Sequence, residues 1–135
     1  MSQSTRVLLL TMEPAIRNIV EQVGFIHGYR TVTVVTIEEA HALTARGGKD
    51  AFALAVVDTA ALGVRDQQQP RQAYQRWQDW RATSPGLPLV FVGTMAQSHA
   101  FLKQRAGIGG FLVKPFGPLA FADMIRTFLQ DEPSR

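Results

Sequence analysis

The 135-residue chain contains no cysteine. That absence excludes a disulfide framework, a thiolate zinc site and a cysteine nucleophile, and it is consistent with a cytoplasmic protein. Charge is also sparse. Charged residues make up 19% of the chain, against about 25% in typical soluble domains. The formal charge of +3 comes from 14 Lys and Arg against 11 Asp and Glu, and the basic residues never form a block. Direct nucleic-acid binding is therefore not expected, because such binders carry a basic stripe or a recognisable module. Long apolar runs are missing as well. Val7-Leu8-Leu9-Leu10 is far too short for the core of a signal peptide or for a membrane span. His27, His41 and His99 stand apart without ligand spacing and read as surface residues. No Ser–His–Asp set can be assembled, and the chain does not read as an enzyme.

What the chain does have is material for a core. It is 46% hydrophobic, with eight Phe, two Trp and two Tyr. Its length is that of one domain, expected over residues 1–135 with a core from about 6 to 129. Apolar runs alternate with helical patterns. Strands are predicted at Val7–Leu10, Arg30–Val35, Ala53–Val57, Leu89–Val92 and Phe111–Val113. The first helix starts at Pro14, carries Ile16, Ile19, Val20 and Val23 at helical spacing, and stops at Gly24 or Gly28. Thr36 caps the second, with Glu38 and Glu39 in its first turn. Further helices are predicted over Gln72–Ala82, Gln97–Arg105 and Pro118–Gln130, the last with Phe121, Met124, Ile125 and Phe128 on one face. Gly63–Pro70 reads as a polar loop, and Gly107–Gly110 as a turn.

Five aliphatic strands separated by helices imply an α/β fold: a doubly wound parallel sheet in a flavodoxin-like three-layer sandwich, order 2-1-3-4-5. Chemistry in such sheets gathers at the C-terminal ends of the strands. Those ends carry Thr11-Met12-Glu13, Asp58, Gly93-Thr94 and Lys114. An aspartate and a lysine converging at one rim form either a phosphoryl site or a structural ion pair. In the first, the carboxylate is a nucleophile and the ammonium neutralises a phosphoryl oxygen.

The sequence resembles the CheY-like receiver domain of bacterial two-component response regulators. The resemblance runs from about Arg6 to Leu129. It is carried by Arg6-Val7-Leu8-Leu9-Leu10 with Glu13-Pro14, by Val56-Val57-Asp58, by Leu87-Pro88-Leu89-Val90-Phe91-Val92, and most specifically by Gly109-Gly110-Phe111-Leu112-Val113-Lys114-Pro115-Phe116. It implies that Asp58 is the phosphoacceptor, Lys114 the phosphoryl contact, Thr94 and Phe111 the switch residues, and Pro115 a cis proline. It implies a phosphorelay role, a histidine kinase or other signalling protein as partner, and magnesium as cofactor. A homodimer through the last two helices and the fifth strand, near Phe101, Leu102, Phe121 and Phe128, also follows from it.

The departures are specific. Where the family has two adjacent acidic residues, this chain has Thr11 and Met12. A metal would be left with Asp58 and Glu13, although the family's geometry does not use the position of Glu13. The family's switch hydroxyl falls on Gly93, and Thr94 is one position late. The expectation is a receiver with a degenerate acidic pocket, in which Asp58 pairs directly with Lys114 and protein contacts set the state. The alternative is a working phosphoacceptor. Tyr74, Trp77 and Trp80 recur every three residues and read as a core stripe. A flavin domain would need a hydroxyl- and glycine-rich loop after the first strand, and Thr11-Met12-Glu13-Pro14-Ala15 has one hydroxyl and no glycine.

Overall fold

The computed structural model describes residues 5–47, 52–62, 75, 78, 79, 82, 87–95 and 110–129. Within them, β1 (Thr5–Leu10), β2 (Tyr29–Val34), β3 (Leu54–Asp58), β4 (Leu89–Gly93) and β5 (Gly110–Val113) form one sheet. All pairings are parallel, and the order is β2-β1-β3-β4-β5. Among the described residues, helices with described spans are α1 (Pro14–His27), α2 (Ile37–Gly47) and α3 (Pro118–Leu129). A 3-10 turn at Thr59–Leu62 follows β3.

The strand sequences are apolar on both faces because both faces are covered. Alternation along each strand divides the core in two. Val7, Leu9, Leu54, Val56, Val90 and Val92 face Ile16, Val20 and Val23 of α1 and Phe121 and Ile125 of α3. Leu8, Leu10, Ala55, Val57, Leu89 and Phe91 face the other way, toward Ala40 and Phe52. The expected face of the last helix divides: Phe121 and Ile125 are buried, while Met124 and Phe128 are half-buried at its border.

Local chemistry sets the boundaries. Thr36 caps α2 as expected: its Oγ1 accepts from the Glu39 N–H at 3.1 Å. Glu39 in turn accepts from the Val35 and Thr36 amides, completing a capping box. The second strand begins at Tyr29 and ends at Val34, one residue earlier at each end than the sequence suggests. Tyr29 is buried, whereas Val35 is 47% exposed. α1 passes through Gly24 and ends at Gly28, whose φ of 86° lies in the left-handed region where glycine is favoured. Gly24 serves packing instead: a Cβ there would lie 2.6 Å from the Tyr29 ring. The Tyr29 hydroxyl donates to the Val20 carbonyl at 2.6 Å.

Gln75, Gln78, Asp79 and Ala82 are helical, within the helix expected over Gln72–Ala82. Tyr74, Trp77, Trp80, Phe101, Leu102 and His99 lie outside the described residues, as do the Gln97–Arg105 helix and the Gly63–Pro70 loop.

Candidate functional site

The parallel register builds the site. Leu10 pairs with Val57, so Thr11 leaves β1 beside Asp58, the last residue of β3. β4 lies between β3 and β5 and ends at Gly93, which has no side chain. The Lys114 amide donates to the Gly93 carbonyl at 2.7 Å, fixing the residue after β5. Its long side chain then spans the end of β4 to Asp58. The peptide bond between Lys114 and Pro115 is cis, as the resemblance implied.

Asp58 is 1% exposed. A carboxylate so buried must find partners, and both of its oxygens do. Oδ2 accepts from the Thr11 hydroxyl at 2.7 Å. Oδ1 accepts from the Ala60 amide at 3.1 Å and faces Lys114 Nζ at 2.9 Å. The same ammonium lies 3.0 Å from Glu13 Oε2. Thr11 Oγ1 also accepts from the Glu13 amide at 3.1 Å, so one buried hydroxyl ties the turn after β1 to β3. Burial works against the Lys114 ammonium, but hydrogen bonds and charge from Asp58 and Glu13 outweigh it and hold its pKa above the ordinary lysine value.

The structure thus brings Thr11, Glu13, Asp58 and Lys114 together. Met12 is 64% exposed. Thr94 lies past the end of β4 and is exposed. Phe111 is half-buried, with its ring centroid 6.5 Å from that of Phe91. Among the described residues, no group of three or more His, Cys, Asp or Glu side chains converges as a metal site, and no helix is long and apolar enough to cross a membrane.

Two features escaped sequence reasoning. The Thr11–Asp58 hydrogen bond needs the β1–β3 register, although a hydroxyl ending a buried strand is a usable signal. The second is the bridge from Glu13 to Lys114, two residues 101 positions apart in the chain.

Neither a family model nor a curated protein matches the sequence. Solved structures do match in fold. The chemotaxis protein CheY4 of Vibrio cholerae is 20% identical with a TM-score of 0.71, over 94% of this chain and 100% of that one. A CheY-like receiver domain protein from Methanospirillum hungatei is 19% identical with a TM-score of 0.71, over 96% of each chain. The receiver domain of the sensor histidine kinase PA1611 from Pseudomonas aeruginosa has a magnesium ion coordinated in its active-site cleft. It is 19% identical with a TM-score of 0.68, over 96% of this chain and all of that one. At these identities the likeness establishes architecture: the chain has the fold of CheY-like response-regulator receiver domains.

Proposed function

We propose that this chain is a receiver-type module of a two-component pathway in which magnesium-dependent phosphorylation of Asp58 is impaired and protein–protein contacts set the signalling state. One observation carries the reading: both Asp58 oxygens are engaged inside the chain, by Thr11, Ala60 and Lys114. Magnesium asks for six oxygens in near-octahedral array, usually including carboxylates. Thr11 offers a hydroxyl already committed to Asp58. Met12 offers an exposed soft sulfur, a poor donor to a hard cation. The Asp58 and Glu13 carboxylates both face Lys114. This donor set does not fit magnesium.

Phosphoryl transfer depends on positioning and charge neutralisation. Here an incoming phosphoryl group meets a buried carboxylate whose cationic neighbour among the described residues, Lys114, is shared with a second carboxylate. Partners suited to the module are a histidine kinase or another signalling protein, or a second copy joined through a face that includes β5 and α3.

The test is incubation with acetyl phosphate and magnesium, followed by intact-mass measurement. The expected result is an unmodified chain. A stoichiometric phosphoryl adduct that disappears in Asp58→Asn would establish the phosphoacceptor reading instead, which the presence of Asp58 and of Lys114-Pro115-Phe116 in the sequence favours.

A further inference from the structure

The two carboxylates that share Lys114 are not equivalent. Asp58 is 1% exposed and is also held by Thr11 and Ala60. Glu13 is 50% exposed, and its Oε2 lies 3.0 Å from Lys114 Nζ. Glu13 occupies the N-cap position of α1, yet its side chain makes no hydrogen bond to the helix end, where Pro14 takes the first turn. Its carboxylate is therefore directed at the lysine rather than at the helix it precedes.

Taking Lys114 as the phosphoryl contact that the receiver resemblance implies, we infer from this geometry that the Glu13 carboxylate is a latch on that ammonium, which an external phosphate-type anion must displace. The inference rests on the receiver-type reading of the site and adds its regulation. An ammonium has three donors in compact array and takes carboxylate or phosphate oxygens alike. Asp58 cannot leave it without stranding a buried charge. Glu13 can leave, because its carboxylate reaches water and a half-exposed ion pair is weak. An arriving anion thus displaces Glu13 and leaves Asp58 in place. While Glu13 stays, its charge opposes the same anion.

The experiment is an NMR titration of the full chain with inorganic phosphate, without magnesium and at constant ionic strength. It compares wild type with Glu13→Gln and reads the Lys114 side-chain and Ala60 amide signals. Because the Glu13 side chain caps nothing, the variant is expected to keep the wild-type spectrum elsewhere. The expected result is saturable shifts at Lys114, with phosphate binding about fivefold tighter in Glu13→Gln, the scale of one exposed ion pair. Equal affinities in the two proteins would overturn the inference, as would shifts that spare Lys114. Acetyl phosphate with magnesium tests the receiver reading on wild-type Asp58. A flat titration of Glu13→Gln beside an unmodified Asp58 removes the latch and leaves that reading standing.

Discussion

Asp58 concentrates the electrostatic cost of this fold, and its neighbours determine how that cost is met. Removing Lys114 leaves a carboxylate that is 1% exposed without its cation. Lys114→Met is expected to lower the unfolding free energy by about 3 kcal/mol, and adding Asp58→Asn to recover part of that loss, since a stranded buried charge costs more than a missing pair. Urea denaturation of the single and double variants measures both. Thr11→Val removes the hydroxyl that donates to Asp58 at 2.7 Å. Its expected cost is about 2 kcal/mol, the range of hydrogen bonds to charged groups. The signals for Asp58 and Lys114 were plain in the sequence, because each stands at the end of an apolar run. The Asp58–Lys114 contact itself was one of two options open from spacing. The work of Thr11 was hidden, since a threonine between Leu10 and Met12 gives no sign of which strand lies beside it.

At the scale of elements, the join between α1 and β2 depends on one close approach. Gly24 faces the Tyr29 ring, where a Cβ would stand 2.6 Å from a ring carbon and 2.9 Å from the Tyr29 carbonyl oxygen. Gly24→Ala forces either the ring or the backbone to move. Overpacking of this kind costs about 1–3 kcal/mol, and a lower urea midpoint with an unchanged slope would report it. The helix runs on through Gly24 and ends at the left-handed Gly28. Glycine is read from sequence as a stop because of its conformational freedom, yet at Gly24 it is used for its missing side chain. The capping box at Thr36 and Glu39 was legible, because caps are local and involve neighbours in sequence. The Val35 boundary was not, because its exposure depends on how the chain turns into α2.

At the scale of the whole molecule, stability should respond to alkali. Burial raises the Tyr29 phenol above its ordinary value. Lys114 is raised too, its two carboxylate partners outweighing its burial. Both groups hold their protons more tightly when folded. Their contributions are fully present below the unfolded-state values of about 10 and 10.4, and are lost as pH rises through the folded-state values. Unfolding free energy is therefore expected to be level from neutral pH to about 9 as far as these two groups decide it, and to fall above about 10. Chemical denaturation across that range checks it, and Tyr29→Phe and Lys114→Met should each flatten the decline. The two cores on opposite sheet faces carry the remainder, joined through the strands they share.

The sequence alone determined the architecture. Five short apolar strands alternating with amphipathic segments leave few ways to bury both faces of a parallel sheet, and right-handed crossovers narrow them to the observed order. It also placed Asp58 and Lys114 at strand ends. Only the tertiary structure decided what those residues touch. Register sets Thr11 against Asp58, and the length of a lysine side chain carries its ammonium across the end of β4. The choice of Glu13 as second partner depends on where α1 begins in space. Periodicity is a property of neighbours along the chain, whereas a salt bridge between residues 13 and 114 exists only once the sheet has brought their strands together.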